Sequence, residues 1–249
     1  MLIDIASNLI ADLIFATLLV TVGWLLFVVT RRSRLFKFFG IGHGRRIFIY
    51  LSHLRVAAGG ALDPHGTARS YQGSVVAFGE MSVSNAYRDL FTYPLPALFD
   101  KPGVLRSLFV ADVEVQIQQS PLSAQEMDSV ASIVTLGSPG YNVVSGYVET
   151  VLHSEATFDL TTTGAIKVSG LSPITDTAYG FVERVVDRAN NRPVFYAAGL
   201  SELGTVGAAY YLAIHWPRLW RKYKSKDNFL VMLKIDARDP TLATVIFEK

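Results

Sequence analysis

An uncharged stretch near the N-terminus constrains the fold more than any other feature of the chain. Residues 13–30 read LIFATLLVTVGWLLFVVT and contain no charged side chain. As an α-helix they would extend about 27 Å, close to the thickness of a bilayer's hydrocarbon layer. The basic sequence RRSR follows at once, whereas the preceding segment carries Asp4 and Asp12 and no Lys or Arg. The positive-inside rule therefore predicts a single-pass anchor in the cell (plasma or inner) membrane, with the N-terminus outside and the C-terminal domain in the cytoplasm.

Two other interpretations of this stretch are weaker. A cleaved signal peptide has its basic residues before the apolar run, and here they follow it. A buried core helix would not be apolar on every side and end in a basic cluster. We therefore expect an anchor at residues 1–31, a juxtamembrane linker at 32–45 with its Phe and Leu residues at the lipid interface, and a cytoplasmic domain at 46–249.

Composition excludes several kinds of site. The chain of 249 residues is 50% hydrophobic, which is enough apolar material for a sizeable core. It has no cysteine, so disulfides, thiolate zinc sites and a cysteine nucleophile are excluded. The net charge of +2 does not indicate a nucleic-acid partner. The five histidines show no metal-ligand spacing, and no cofactor is indicated.

Strand-like and helix-like patterns alternate after the linker, which predicts an α/β domain. We expect a mostly parallel, three-layer sheet, with a small antiparallel insertion near residues 158–187. Ligands of such sheets bind beyond the carboxyl ends of the strands. The expected strands are 46–54, 108–118, 133–136, 178–187 (one strand or two half-strands), 194–199, 229–235 and 243–247; the expected helices are 70–92, 143–153 and 204–223 (kinked or broken at Pro217); and a hairpin is expected at 158–170.

Two glycine-containing turns each join a buried strand to a helix, LGSPGYN at 136–142 and AGLSELGTVG at 198–207. Free N–H groups and the positive end of the helix dipole suit a phosphate at such a turn. The architectural alternative is equally open, because any strand-to-helix turn favours Gly, Ser, Thr or Asn, and neither turn matches GxGxxG or the P-loop. The candidate ligand-binding residues are Gly137, Ser138 and Asn142 in the first turn, and Gly199, Ser201, Gly204 and Thr205 in the second.

The segment after the first strand adds further candidates. Ser52, Arg55 and Arg69 surround a glycine-rich loop at 57–69, where an arginine could pair with a phosphate. The alternative is a solvated loop with an ordinary ion pair. Glu80 lies in an otherwise apolar helical stretch, and a buried carboxylate there could act as an acid, a base or a sugar ligand. Its alternative is a surface glutamate.

The basic and aromatic stretch HWPRLWRKYK, at 215–224, allows two interpretations. It could contact anionic lipid. The favoured interpretation packs Leu212, Trp216 and Leu219 inward and leaves the basic residues Arg218, Arg221 and Lys222 solvated.

The strand IFIYLSHL, its glycine loop and the helix with Glu80 resemble the opening of nucleoside deoxyribosyltransferase-like and related nucleotide-sensing Rossmann-like domains. The turns LGSPGYN and AGLSELGTVGAA are similar to the loops that hold sugar-phosphate there. The resemblance implies a Rossmann-like domain with a pocket for a nucleoside or nucleotide, and Glu80 as a functional glutamate.

The leading hypothesis is a membrane-tethered sensor or effector that binds a nucleotide or a nucleotide-derived signal. The resemblance implies a role in stress or phage defence. The alternatives are an enzyme, a nucleotide or nucleoside N-glycosidase or ribosyltransferase-like protein that uses Glu80, and a ligand-free membrane scaffold. The expected partners are the lipid bilayer, a nucleotide ligand and, as an open alternative, further copies of the chain in a homo-oligomer.

Overall fold

The computed structural model describes residues 2–41, 46–52, 78–92, 111–116, 131–159 and 164–249. In these ranges the chain forms four helices and nine strands. The helices are α1 (Leu2–Phe39), α2 (Phe78–Thr92), α3 (Val143–Thr150) and α4 (Glu202–Tyr223). The strands are β1 (Arg46–Tyr50), β2 (Asp112–Gln116), β3 (Ser132–Leu136), β4 (Ala156–Asp159), β5 (Ala165–Val168), β6 (Tyr179–Asp187), β7 (Arg192–Gly199), β8 (Phe229–Ile235) and β9 (Ala243–Glu248).

Seven strands form one mixed sheet in the order β2-β1-β3-β7-β6-β8-β9. Strands β2, β1, β3 and β7 run parallel to one another. Strand β6 runs antiparallel to both β7 and β8, and β9 runs antiparallel to β8. The α/β class is therefore confirmed, but the prediction of a mostly parallel sheet is wrong.

Strand β6 accounts for most of this difference. Only β4 and β5 form a separate antiparallel pair, whereas β6 is a continuous strand inside the main sheet. A short turn at 188–191 joins β6 to β7, and the Asp187 carboxylate accepts a hydrogen bond from the Asn190 amide in it (3.2 Å). A connection this short allows only antiparallel pairing. Both faces of β6 are buried and carry apolar residues as well as Glu183 and Arg184, so its pattern did not reveal the direction of its neighbours.

Helices and the small hairpin cover the sheet on its two faces, which gives the expected three layers. On the first face, α2, α4 and the end of α1 pack on the sheet around Tyr87, Phe195 and Leu212. On the second face, α3 and the β4–β5 pair pack around Val148, Ile166 and Phe181. The sheet is thus buried on both sides across most of its width.

Helix α1 does not end at the basic cluster. Residues 12–27 are all exposed, but Leu35, Phe38 and Phe39 are at most 2% exposed and belong to the core of the first face. The ring of Phe38 lies 5.1 Å from that of Phe195. The expectation that these side chains lie at the lipid interface is therefore wrong. Bulky apolar side chains suit a lipid interface and a protein core equally well, so their type could not decide between the two.

Helix α1 is also held to the domain by polar contacts. The Arg32 guanidinium donates hydrogen bonds to the carbonyls of Leu90 and Phe91 in the last turn of α2. A cation at this end of a helix satisfies carbonyls that have no partner within the helix and opposes the negative end of the helix dipole. The Ser132 hydroxyl of β3 donates to the carbonyl of Phe39. The apolar helix is therefore continuous with the folded domain.

Candidate functional site

The carboxyl ends of β1 and β3 lie side by side at one end of the sheet. The two strands are adjacent and parallel. The next described helix after β1 is α2, on the first face, whereas β3 leads to α3 on the second face. Such a reversal is a topological switch point, and ligands of open α/β sheets bind in the crevice that it creates.

Three of the candidate residues meet at these strand ends: Ser52, Glu80 and Gly137. Glu80 lies in the first turn of α2 and is only 3% exposed. Its Oε2 accepts a hydrogen bond from the amide of Ser52 (2.7 Å). A Cβ added to Gly137 would lie 2.0 Å from the Ser52 hydroxyl oxygen and 3.3 Å from Glu80 Oε1. Gly137 has a φ of +90°, so both its conformation and its surroundings require glycine. We refer to these three residues as the strand-end crevice.

Glu80 is buried, whereas most glutamates lie at the surface, and its pKa differs accordingly. Burial raises the pKa of its carboxyl above the usual value, and the hydrogen bonds from the Ser52 amide and hydroxyl oppose this shift. The nearby Glu202 carboxylate raises the pKa further. A buried carboxyl group with a raised pKa at a strand end can act as an acid or a base, or accept hydrogen bonds from ligand hydroxyls.

Glu202 is a neighbour that the sequence analysis missed. Its Oε1 accepts a hydrogen bond from the Gly79 amide (2.8 Å), which joins the first turns of α2 and α4. A Cβ on Gly79 would lie 2.8 Å from that oxygen. An acidic residue in the first turn of a helix is so common that its position alone carried no functional signal.

Asn142 links the ends of β1 and β3 to the first turn of α3. Its Oδ1 accepts hydrogen bonds from the amides of Val144 (2.9 Å) and Ser145 (3.4 Å), which caps α3. Its Nδ2 donates to the carbonyls of Tyr50 (3.1 Å) and Leu136 (2.7 Å), the last residues of β1 and β3. Two donors and two acceptors are the whole capacity of an amide side chain. In this arrangement Asn142 fixes the spacing of the two strand ends and has no group left for a ligand.

The second glycine turn is occupied by its own hydrogen bonds. The Ser201 hydroxyl accepts from the Gly204 amide (3.1 Å) and donates to the carbonyl of Thr177 (2.7 Å). Thr205 Oγ1 accepts from the Gly199 amide (3.1 Å). These contacts cap α4 and tie its first turn to the end of β7.

The glycines of this turn permit a very close approach of helix to sheet. A Cβ on Gly204 would lie 2.4 Å from the carbonyl oxygen of Tyr179, and one on Gly199 would lie 2.5 Å from the carbonyl carbon of Gly204. The Gly137 amide donates to the carbonyl of Ala197 (3.0 Å), so the two glycine turns lie on neighbouring strand ends. The geometry favours the architectural interpretation for the second turn and leaves the strand-end crevice as the better candidate site.

The remaining candidates are placed as follows. The carbonyl of Ser138 accepts from the amides of Tyr141 and Asn142 and closes the turn before α3. Arg55, Arg69 and the loop at 57–69 lie outside the described residues. Within the described part of the chain, no group of three or more His, Asp and Glu side chains could hold a metal ion.

A second buried carboxylate on the other face of the sheet was also missed. Glu183 is 2% exposed and accepts hydrogen bonds from the amides of Glu155 (2.7 Å) and Ala156 (3.2 Å) and from the Ser154 hydroxyl. Burial raises its pKa to about 7. The alternation of Phe181, Glu183 and Val185 along β6 could have shown that this carboxylate shares a face with apolar residues. Its three donors all come from the segment that leads into β4, so Glu183 holds that segment on the sheet.

Comparison with known proteins found no matching family model, curated protein or solved structure. The resemblance to nucleoside deoxyribosyltransferase-like domains therefore stays a prediction, and the function is inferred from the geometry of the chain.

Proposed function

We propose that this chain is a single-pass membrane protein whose α/β domain binds a nucleotide or a nucleotide-derived signal in the strand-end crevice. The observation that carries the proposal is the buried carboxylate of Glu80 at the switch point of the sheet. Such a carboxylate has lost most of its hydration, and ligand hydroxyl groups would replace the lost hydrogen bonds.

The chemistry of the crevice suits the sugar of a nucleotide. Carboxylates at the strand ends of dinucleotide-binding sheets accept hydrogen bonds from ribose hydroxyls. The Ser52 hydroxyl lies beside Glu80, and the absence of a side chain at Gly137 lets that hydroxyl approach the end of β3. The two described residues that flank segment 53–77, Ser52 and Phe78, are at the crevice or within one turn of Glu80. Arg55 and Arg69 belong to that segment, outside the described residues, and stay proposed partners of a ligand phosphate from the sequence alone.

Helix α1 supports the membrane anchor. The part Asp12–Phe39 is long and apolar enough to cross a bilayer, and its apolar portion is exposed rather than packed in the domain. A signal sequence would satisfy the same test of length and composition. The last turns of α1, however, supply Leu35, Phe38 and Phe39 to the core, and a removable leader does not contribute to the core of the mature domain. The anchor is therefore favoured.

Helix α2 provides a direct route from the crevice to the anchor. Its first turn carries Glu80, and its last turn is bound by Arg32 of α1. A ligand that displaces or tightens the first turn would move a rigid helix of 15 residues whose other end is fixed to the anchor. This arrangement suits a sensor whose signal is passed to the membrane segment.

Nucleotide binding by the full chain in detergent tests the proposal. We expect native mass spectrometry with a panel of nucleotides to show one specific adduct. Glu80→Gln should weaken it by about tenfold or more, because a charge-assisted hydrogen bond is lost. Gly137→Ala should abolish it, because the added Cβ would collide with the Ser52 hydroxyl and displace it from Glu80.

Two control variants match these changes. Glu149→Gln removes a partly buried carboxylate on the second face, and Gly170→Ala adds a methyl group at a φ of +87° with no atom within 4 Å. Both should keep the adduct. A wild-type chain that binds no nucleotide of the panel, or four variants that bind alike, would favour the ligand-free scaffold.

The enzymatic alternative rests on the buried carboxyl of Glu80 beside Ser52, whose raised pKa suits a general acid or base in N-glycosidic cleavage. Incubation of the wild-type chain with its nucleotide would then release the free base. Glu80→Gln would stop this release and retain the nucleotide. Binding that depends on Glu80 without any release of base would support the sensor.

A further inference from the structure

A groove runs between α1 and α4 at the end of the apolar stretch. It consists of two adjoining cavities of about 440 and 330 Å³, which share Phe27, Arg31 and Trp216. We call it the interface groove and define it by Phe27, Arg31, Arg34, Trp216, Trp220 and Arg221.

All three tryptophans of the chain line these cavities. Trp24 lies on α1 and is half exposed, whereas Trp216 and Trp220 lie one turn apart on α4. Tryptophan favours the boundary between lipid and water, because its ring is apolar and its N–H is polar. Trp24 and the partly buried Trp220 suit that boundary, whereas Trp216 is only 3% exposed and belongs to the core. The groove adjoins the end of the apolar stretch of α1.

The arginines of the cluster RRSR divide between two directions. Arg32 is buried and bound to the end of α2. Arg31 and Arg34 lie one turn apart, so they share the exposed side of α1 that faces α4. Arg221 adds a third exposed guanidinium from α4. No Asp or Glu stands among the described residues that line the groove.

The other basic residues of α4 are engaged elsewhere. Arg218 and Lys222 both pair with Glu248 of β9. Among the described residues, Arg31, Arg34 and Arg221 have no acidic partner in the groove. Apolar side chains, among them Val28 and Leu35, line the groove beside them.

We propose that the interface groove binds an anionic phospholipid of the cytoplasmic leaflet. The lipid phosphate lies among Arg31, Arg34 and Arg221, because guanidinium groups bind phosphate oxygens in pairs of parallel hydrogen bonds. One acyl chain lies along Trp24 and Phe27 of the span. The inference rests on the proposed membrane anchor and is independent of the nucleotide site. A lipid fits better than a free phosphate, because the cavities are mostly apolar and adjoin the span.

Quenching of tryptophan fluorescence by brominated lipid tests this proposal. The full chain carrying Trp24→Phe retains only the two tryptophans of α4, and it is placed in phosphatidylcholine nanodiscs. Brominated phosphatidylglycerol should quench this fluorescence at a lower mole fraction than brominated phosphatidylcholine does. The preference should fall about fivefold for each arginine removed in Arg34→Gln and Arg34→Gln/Arg221→Gln.

The double variant Arg218→Gln/Lys222→Gln is the control, because it also removes two positive charges but leaves the groove intact. It should keep the preference. Equal quenching by the two lipids, or an equal loss in both double variants, would overturn the lipid site and leave the anchor standing. Quenching by neither lipid would overturn the anchor as well. The single variant Arg34→Gln answers the same question if the double variant unfolds.

Discussion

The two most deeply buried glutamates of the described chain differ in what surrounds them. The carboxylate of Glu183 receives three hydrogen bonds from one segment of the protein. Among the described residues, the carboxylate of Glu80 is bonded only by Ser52, and it lies beside a glycine at a strand end. Burial raises the pKa of both groups. Their surroundings therefore assign Glu183 to the architecture and leave Glu80 as the candidate for ligand chemistry.

Glu183 should make the stability of the fold depend on pH. Its pKa is about 7 in the folded chain and near 4.5 when unfolded. Between these values the folded state retains a proton that the unfolded state has lost, so stability falls as pH rises from 4.5 to 7. The loss should amount to about 3 kcal/mol. Thermal midpoints of the full chain in detergent at pH 5 and pH 8 should therefore differ more for the wild type than for Glu183→Gln.

Glu248→Gln is the control for this measurement. The hydrogen bond from Lys222 lowers the pKa of Glu248, so its contribution to stability is lost only as pH falls below its usual pKa. Between pH 5 and pH 8 this variant should show the same pH dependence as the wild type. Equal slopes for the wild type and Glu183→Gln would contradict the role given to Glu183.

Among the elements, those with an unambiguous periodicity were predicted best. Strand β8 has the predicted bounds, and α4 differs from its prediction by two residues at its start. Helix α4 runs through Pro217 without a break, and its inward side chains Leu212, Trp216 and Leu219 are buried as expected. The direction of β6 and the continuation of α1 to Phe39 were not predicted, because both depend on distant partners that local patterns do not specify.

The candidate site was predictable only in part, for a related reason. Ser52, Glu80 and Gly137 could be singled out by residue type at strand ends or in an apolar helix. Their convergence depends on the order of β1 and β3 in the sheet, which the sequence does not show. The second turn is also rich in glycine and small polar residues, and only its hydrogen bonds and its close contacts with β6 show that it is structural.

The glycine turn before α4 gives a prediction at the scale of elements. Gly204→Ala should destabilise the fold by about 2 kcal/mol or more, because the new Cβ would lie 2.4 Å from the rigid carbonyl of Tyr179. Gly146→Ala, also within a helix, meets no atom closer than 3.8 Å and should stabilise α3 by about 1 kcal/mol. Thermal midpoints of the full chain in detergent should move in opposite directions. Similar shifts in both variants would show that α4 can move away from the sheet.

At the scale of the whole molecule, α1 joins an exposed apolar stretch to the core without an interruption in the helix. Exposed apolar side chains over such a length are unfavourable in water and favourable in lipid. The basic residues that follow the stretch favour the proposed cytoplasmic side for the sheet domain. These observations support the proposed topology.

The absence of cysteine makes this topology directly testable. Single substitutions Asp4→Cys and Ser225→Cys place one thiol at each end of the proposed arrangement. In intact bacterial cells a membrane-impermeant maleimide should label Asp4→Cys, whereas Ser225→Cys should react only after the inner membrane is opened. Labelling of Ser225→Cys in intact cells would reverse the proposed orientation.

Phe38 and Phe39 also determine the mechanics of the proposed arrangement. Phe38 packs between the sheet and α4, and Phe39 packs between the sheet and α2. Because α1 is one uninterrupted helix from Leu2 to Phe39, the proposed span and the domain are joined without a break in the helix. Any tilt of the span, as a thinner or thicker bilayer would impose, swings the whole sheet through the same angle. The span and the sheet domain would then tilt together about the bilayer surface, and the strand-end crevice would move with them.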